Sequence, residues 1–218
     1  MVCLVNENHA RACSSPEWAE MIQNELLPSL TRGVELGDEM LEVGPGPGAA
    51  TEWLRQRVTR LVALEIDQGA AQLLSERLNG SNVVVAVGDA TAMDFPDGSF
   101  DSVGCFTMLH HVPTLQAQFK VLSEIFRVLR PGGVLIASDA VANSESHDFH
   151  AGDTYNPIDP SCLLSLIRAL GFAQITLGVD RRLHLVAHKP MPESTARPET
   201  FSGLVSSWTT TANKRRPS

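Results

Sequence analysis

The sequence contains few cysteines, and those it has form no recognisable site. Cys3, Cys13, Cys105 and Cys162 lie far apart, and no two of them make a C-x-x-C pair. This spacing argues against a cysteine-ligated zinc site and against a disulfide framework. Four free thiols are instead typical of a protein from a reducing compartment.

Positive charge and long apolar runs are also scarce. The formal net charge is −8, and a domain this acidic is a poor partner for the phosphates of nucleic acid. No apolar run approaches the length of a membrane span, and the first residues lack the charged and apolar regions of a signal peptide. We therefore expect a cytoplasmic protein that binds neither nucleic acid nor a membrane.

The length of 218 residues leaves room for one α/β domain with extensions. We expect residues 1–35 to be an N-terminal helical segment that can act as a lid. Within it, residues 1–14 are predicted to be irregular, and Ser15-Pro16-Glu17 is a typical helix start. Residues 36–189 are predicted to form the main domain. Residues 190–218, rich in Pro, Ser and Thr, are predicted to be a disordered tail.

Apolar runs and amphipathic segments alternate through the main domain, which predicts a doubly wound α/β fold. The predicted strands are 40–43, 61–65, 83–87, 102–107, 134–138, 174–179 and 183–188. The predicted helices are 49–57, 68–78, 115–129 and 160–170. The third strand is apolar throughout, so we expect it to be buried on both faces. Residues 142–157 carry no regular pattern, and a loop of this length is usually functional or disordered.

The most informative stretch is the glycine-rich turn that follows the first predicted strand, in EMLEVGPGPGAATEW (39–53). A buried strand that enters such a turn and then a helix is the first half of a βαβ nucleotide-binding unit. Glycine suits the turn because it permits positive φ and lets a ligand touch the backbone. The new helix N-terminus offers free N–H groups to that ligand.

Two ligands compete for this turn. Gly44-x-Gly46-x-x-Ala49 satisfies the dinucleotide fingerprint, which on its own is a weak signal. S-adenosylmethionine (SAM) is favoured by Glu42, because a carboxylate two residues before the first glycine suits the ammonium group of methionine. The two prolines of the turn remove backbone donors that a pyrophosphate would need. A third feature, Asp89 after the third strand, also favours SAM.

Five segments in this order resemble the class I SAM-dependent methyltransferases, and within them the small-molecule subgroup that includes the quinone-biosynthesis methyltransferases. The matching segments lie within roughly residues 36 to 140 and are EVGPGPG (42–48), EID (65–67), GDA (88–90), FPDGSFD (95–101) and LRPGG (129–133). The resemblance implies a Rossmann-like, seven-stranded, mostly parallel sheet with an antiparallel last strand. Residues 36–189 would then be the SAM-binding methyltransferase domain.

The carboxyl ends of the strands form the ligand edge of such a sheet, and this rule selects the candidate cofactor residues. Glu65 is expected to accept hydrogen bonds from the ribose hydroxyls, and Asp89 from the adenine amino group. Asp101 opens a strand at the opposite edge, so we expect a structural role for it. The predicted cofactor-binding residues are Glu42, Gly44, Gly46, Gly48, Glu65, Ile66, Asp89, Ala90 and Thr107.

Histidines follow the fourth and fifth strands, near the place where a methyl acceptor must approach. His110 and His111 are candidate catalytic residues, since histidine is a plausible general base at neutral pH. His147, His150 and Tyr155 are candidate substrate contacts in the loop after the fifth strand. The spacing of His147, His150 and Asp153 could clasp a metal, but an isolated H-x-x-H in a loop is usually no metal site, so no metal is expected.

The expected reaction is transfer of the SAM methyl group to a small-molecule acceptor, whose reacting atom can be O, N, C or S. Methylation of amide or base amino groups is disfavoured, because Phe106-Thr107-Met108-Leu109 replaces the Asn/Asp-Pro-Pro-Tyr motif of those enzymes. Two alternatives remain, namely an NAD(P)-dependent oxidoreductase and a SAM-binding protein without turnover. The sequence does not indicate an oligomeric state.

Overall fold

Within residues 6–192, seven strands form a single sheet in the order β3-β2-β1-β4-β5-β7-β6. The computed structural model describes residues 6–192, without the side chains of residues 144 and 145. The strands are β1 (Glu39–Val43), β2 (Arg60–Glu65), β3 (Val83–Val87), β4 (Phe100–Phe106), β5 (Leu129–Ala140), β6 (Ala173–Val179) and β7 (Arg182–His188). The pairs among β1 to β5 are parallel, whereas β7 runs antiparallel to both β5 and β6. The predicted fold class is confirmed.

Helices cover both faces of the sheet. They are α1 (Glu7–Cys13), α2 (Pro16–Met21), α3 (Leu27–Leu30), α4 (Ala49–Leu54), α5 (Gln68–Arg77), α6 (Leu115–Val128), α7 (Ser144–Phe149) and α8 (Pro160–Ala169). The predicted helix start at Ser15 is confirmed, since its side chain caps α2 by accepting the N–H of Trp18. A π-helical turn, Ile22–Leu26, joins α2 to α3.

The alternation of side chains along β1 decides which face each residue meets. Leu41 and Val43 belong to the core cluster that contains the buried residues of α6 and α8. Met40 belongs to the cluster formed with α3 and α4. Glu42, two residues beyond Met40, therefore lies on the side of the sheet that the N-terminal helices and α4 cover.

Two segments expected to be irregular contain short helices. Residues 7–13 form α1, whose cap is the Asn6 side chain, and residues 144–149 form α7, whose cap is the Asn143 side chain. The expectation was wrong because neither helix has the apolar periodicity of a core-facing helix. Both are stabilised by a capping hydrogen bond and by contacts with each other's segment, such as the bond from the Asn6 amide to the Phe149 carbonyl at 3.1 Å.

The expectation that β3 is buried on both faces was also wrong. Val84 and Val87 are 47% and 59% exposed. Among the described residues, the strand lies at the edge of the sheet and pairs only with β2. Its apolar composition reflects β propensity and packing of Val83 and Val85 beside the buried residues of α5.

None of the helices within residues 6–192 is long and apolar enough to span a membrane. The predicted tail lies outside the described residues from position 193 onward. Asp101, at the amino end of β4, has the structural role expected of it. Its Oδ2 accepts the N–H groups of Asp38 and Glu39 at 3.0 and 2.9 Å, and its Oδ1 pairs with Arg130.

We predict that Asp101→Ala lowers the free energy of unfolding by about 1–3 kcal/mol, because two backbone N–H groups at the start of β1 lose their acceptor. Urea denaturation of both proteins at neutral pH measures the difference. Asp97→Ala is the matched control, since Asp97 pairs with Arg127 through a side chain that is 82% exposed and such pairs contribute little. Equal losses in the two variants would contradict the structural role of Asp101.

Candidate active site

The glycine turn after β1 has a backbone that only glycine adopts readily. Gly44, Gly46 and Gly48 have φ values of 68°, 51° and 85°, in the left-handed region. A Cβ on Gly44 would lie 2.4 Å from Cγ of Met108, whereas a Cβ on Gly46 would meet nothing within 4 Å. Gly44 is therefore needed for close packing, and Gly46 leaves open space on the side where a ligand can approach.

Glu42 is a buried carboxylate beside this turn. It is 2% exposed, and its Oε2 has no hydrogen-bond partner among the described residues. Burial raises the pKa of its carboxyl to about 7, and the nearby Glu65 adds to the rise. A buried carboxylate oxygen without a partner is costly, so this position favours a ligand that carries a positive charge.

Glu65 ends β2 and is also buried, but its carboxylate is well satisfied. Its Oε2 accepts the N–H of Gly46 at 3.0 Å, and its Oε1 accepts those of Ile66 and Asp67 at 2.8 and 3.0 Å. A carboxylate oxygen has two acceptor sites, so Oε2 retains one for a ligand hydroxyl. The residue therefore holds the glycine turn against the end of β2, besides being available to a ligand.

The loops after β3 and β4 complete this end of the site. Asp89 Oδ1 accepts the N–H and the hydroxyl of Thr91, each at 2.8 Å. Partial burial alone would raise the pKa of Asp89, but these bonds outweigh burial and lower it. Thr107 has a positive φ of 50°, and its N–H donates to the Ser138 carbonyl at 2.7 Å. Positive φ at a β-branched residue is strained, and such strain is common at ligand sites.

A cavity of about 920 Å³ brings these residues together. All nine predicted cofactor residues line it. The N-terminal segment also lines it, through residues that include His9, Cys13 and Trp18. The segment that was expected to be a lid thus forms one wall of the cavity.

Of the two candidate catalytic histidines, His111 lines the cavity and His110 does not. His110 is 3% exposed; its Nδ1 pairs with Asp139, and its Nε2 has no partner among the described residues. His111 Nδ1 donates to the Thr154 carbonyl at 3.0 Å. Burial and three neighbouring histidines lower the pKa of His111 to about 3, which is far from the value that suits a general base at neutral pH.

The three predicted substrate residues separate. His150 is buried and Tyr155 stacks on it, with ring centroids 4.2 Å apart. The side chain of His147 is 80% exposed. Its nearest aromatic neighbour among the described site residues is Tyr155, with ring centroids 6.5 Å apart. None of the three lines the cavity directly.

Asp139 was not predicted from the sequence to be functional, and His9 was predicted only within the segment His9 to Trp18, as a lid or pocket contact. His9 lies on α1, with its Nδ1 2.9 Å from Asp153 Oδ2, and its ring centroid is 4.8 Å from that of His111. Asp139, at the end of β5, pairs with His110 and accepts the N–H of Leu109 at 2.8 Å. Asp153 had been considered only as a metal ligand. An acid at the end of a strand is a usable signal for Asp139; no local pattern marks His9.

Comparisons with known proteins agree with this geometry. A family model described as a methyltransferase domain matches residues 41–137. A sterol 24-C-methyltransferase from Yarrowia lipolytica is 36% identical over 119 residues, which is 52% of this chain and 30% of that protein. A protein named as a probable S-adenosylmethionine-dependent methyltransferase from Mycolicibacterium smegmatis is 32% identical over 151 residues, 66% of this chain and 55% of that protein. The chain thus spans about a third to just over half of these relatives.

Solved structures show the same fold. A SAM-dependent methyltransferase from Methanosarcina mazei has a TM-score of 0.63 at 19% identity, over 76% of this chain and 98% of that one. Phosphoethanolamine N-methyltransferase 2 from Haemonchus contortus, solved with S-adenosyl-L-methionine, has a TM-score of 0.66 at 16% identity, over 80% of this chain and 56% of that one.

The domain match, the sheet order and the glycine turn agree with one another. Residues 41–137 match the methyltransferase-domain family, the sheet has the fold of the class I SAM-dependent methyltransferases, and S-adenosylmethionine is the cofactor that these similarities indicate. The narrower resemblance to the quinone-biosynthesis methyltransferases stays a prediction, as do the domain bounds 1–35, 36–189 and 190–218.

We predict that Glu65→Ala destabilises the ligand-free protein by about 1–3 kcal/mol, because the N–H groups of Gly46, Ile66 and Asp67 lose an acceptor in a buried place. Glu65→Gln, which keeps one acceptor oxygen, should lose less. Urea denaturation without ligand measures both. The control is Glu76→Ala on the exposed side of α5, where a change within about 0.5 kcal/mol is expected. Unchanged stability in Glu65→Ala would show that the three bonds contribute nothing to the fold.

Proposed function

We propose that this protein transfers the methyl group of SAM to a small-molecule acceptor that enters the same cavity. The observation that carries the proposal is the buried Glu42 carboxylate, whose Oε2 has no partner among the described residues, in a cavity lined by all nine predicted cofactor residues. A ligand that carries both an ammonium group and a nucleoside suits this cavity, because the ammonium group would pair with Glu42 and the nucleoside would contact the other predicted cofactor residues. A nucleotide pyrophosphate would bring negative charge to this place, and the charged ring nitrogen of an oxidised nicotinamide has no N–H group to donate to Glu42.

The residues present fit the cofactor. Glu42 would accept the ammonium group, and Gly46 leaves space for close approach to the backbone. Glu65 would use the remaining acceptor site of its Oε2 for a ribose hydroxyl. Asp89 would accept the adenine amino group, with Ile66 packed on the ring and the Ala90 N–H facing it. When bound, SAM supplies a methyl group that is already activated by its sulfonium charge.

The contribution of the chain is then alignment and exclusion of water. An acceptor held in line with the sulfonium carbon reacts faster because its orientation is already set, and closing the cavity removes competing water. The N-terminal segment, which forms one wall, supplies that closure. We place the acceptor at the end of the cavity formed by His9 and His111.

A small molecule is the acceptor that the observations favour. The net charge of −8 opposes binding of nucleic acid, and the chain lacks the Asn/Asp-Pro-Pro-Tyr motif after β4. Two further relatives are named for lipid acceptors, a phthiotriol/phenolphthiotriol dimycocerosates methyltransferase and a fatty-acid O-methyltransferase. One relative is named as a probable ribosomal RNA methyltransferase, at 32% identity over 96 residues, so RNA is the alternative that an experiment must separate.

Calorimetry and label transfer test the proposal in turn. We expect SAM and its demethylated product to bind with micromolar affinity and NADH not to bind. Methyl-labelled SAM incubated with the protein and a metabolite extract should then put label into the small-molecule fraction. Binding of NADH instead of SAM would overturn the cofactor assignment. Label that appears only in RNA would overturn the acceptor class alone.

We predict that Glu42→Gln weakens SAM binding by about 10- to 150-fold, the equivalent of one charge-assisted hydrogen bond of about 1.5–3 kcal/mol. The same variant without ligand should be at least as stable as the wild type at pH 8. The reason is that burial raises the pKa of Glu42 in the folded state from 4.5 to about 7. Its contribution to stability is therefore full below about pH 4.5 and is lost as the pH rises through 7.

The controls use a fragment of the cofactor. 5′-Methylthioadenosine keeps the nucleoside of SAM but has no ammonium group, so Glu42→Gln should leave its affinity unchanged. Thermal melting at pH 5 and pH 8 should show a smaller loss of stability with rising pH in the variant than in the wild type. Equal weakening of SAM and of the fragment would mean that the substitution disturbs the whole cavity and that Glu42 does not recognise the ammonium group.

A further inference from the structure

Three histidines from separate parts of the chain converge beside the cavity. His9 comes from α1, His111 from the turn after β4, and His150 from the loop after β5. One ring nitrogen of each lies within 4.8 Å of one ring nitrogen of the others. His9 and His150 are buried, and His111 is half-buried. The three rings thus form a compact cluster that no local sequence pattern brings together.

Each of these rings has its Nδ1 occupied by an acceptor. His9 Nδ1 lies 2.9 Å from Asp153 Oδ2, His111 Nδ1 lies 3.0 Å from the Thr154 carbonyl, and His150 Nδ1 lies 2.6 Å from the Ser146 carbonyl. An acceptor at Nδ1 places the ring proton there and leaves the Nε2 lone pair free. Metal-binding histidines are oriented in this way, by a carboxylate or a carbonyl at the second nitrogen.

A fourth histidine, His110, lies against this cluster and also has a ring nitrogen without a hydrogen-bond partner among the described residues. The His110 ring lies 4.1 Å from that of His111 and 5.0 Å from that of His150, between centroids. Its Nδ1 pairs with Asp139, and its buried Nε2 has no hydrogen-bond partner among the described residues. Buried polar atoms are normally satisfied, and the neighbouring imidazoles, whose Nδ1 atoms are bonded to other acceptors, offer His110 Nε2 no Nδ1–H donor.

We propose that His9, His111 and His150 bind a divalent transition metal ion, with Zn²⁺ as the ion to test first. Imidazole nitrogen suits Zn²⁺ and its neighbours in the first row, but not Mg²⁺ or Ca²⁺. Binding at Zn–N distances of about 2.0–2.1 Å draws the three nitrogens closer than they are now. The ion therefore also ties α1 to the loop after β5.

The site differs from the metal arrangement considered from sequence, which grouped His147, His150 and Asp153. Only His150 is shared as a ligand, because His147 points to solvent and Asp153 is bound to His9. With three protein ligands the ion keeps a position for water or for a molecule in the cavity, which His9 and His111 line. His111 then acts as a ligand, in place of the general-base role considered for it from sequence.

The experiment measures metal binding directly and does not depend on methyl transfer. Full-length protein without a polyhistidine tag is treated with a chelator and then titrated with Zn²⁺ by calorimetry and with Co²⁺ by visible absorption. We expect one equivalent of either ion and a rise in melting temperature, because a ligand that binds only the folded state stabilises it. Mg²⁺ should give no signal.

Variants separate this site from adventitious binding. His9→Ala and His150→Ala should each weaken Zn²⁺ binding by more than about 100-fold, and Asp153→Asn, which orients His9, by about 10- to 100-fold. His147→Ala is the matched control in the same loop and should bind Zn²⁺ like the wild type. SAM affinity and the melting temperature of the metal-free variants show that they are folded. No stoichiometric binding by the wild type, or an equal loss in His147→Ala, would overturn the proposal.

Discussion

The Glu65 carboxylate is the interaction on which the cofactor end of the cavity depends. Parallel strands are bonded along their length, but the loops beyond their carboxyl ends have no ladder to hold them. Glu65 supplies that link by accepting N–H groups from the turn after β1 and from the start of α5. Backbone bonds from Gly44 to Leu64 and from Gly88 to Glu65 extend it to a third loop. The wall is therefore formed before a ligand arrives, and such preorganisation lowers the entropy that binding must overcome.

Two neighbouring carboxylates in this wall have opposite thermodynamic roles. Glu65 is satisfied by three backbone donors and stabilises the fold whether or not a ligand is bound. Glu42 has an oxygen without a partner among the described residues, and its burial favours the neutral form. A cationic ligand would relieve that cost, so under the proposed function the same residue opposes stability in the empty protein and would support affinity in the complex. Binding sites commonly carry such a local cost, which the rest of the fold must support.

The sequence was sufficient for the parts of the structure that follow from local rules. The bounds of β3 at 83–87 and the helix start at Ser15 were predicted correctly, and the glycine turn lies where it was expected, directly after β1. The exposure of Val84 was not predictable from periodicity, because central and edge strands can have the same apolar sequence pattern. The strand order decides whether such a strand is central or at the edge, and within residues 6–192 it places β3 beside β2 alone. Likewise α1 and α7 depend on a cap and on contacts with a distant segment, which no local window contains.

The two ends of the cavity were unequally predictable for a single physical reason. At the cofactor end every predicted residue lies at the carboxyl end of a strand or in the segment that follows it, so the sheet itself determines its position, and all nine line the cavity. At the other end the walls belong to the N-terminal segment and to the loop after β5, whose mutual contact is Asp153 bound to both Asn6 and His9. Those walls are positioned by each other as much as by the sheet. Sequence spacing therefore suggested a set that contains His147 and His150. In the fold, His150 lies beside His9 and His111, which are about 140 and 40 residues away in sequence. Variation in these two covering segments can accordingly change the acceptor while the cofactor end, built on the sheet, stays the same.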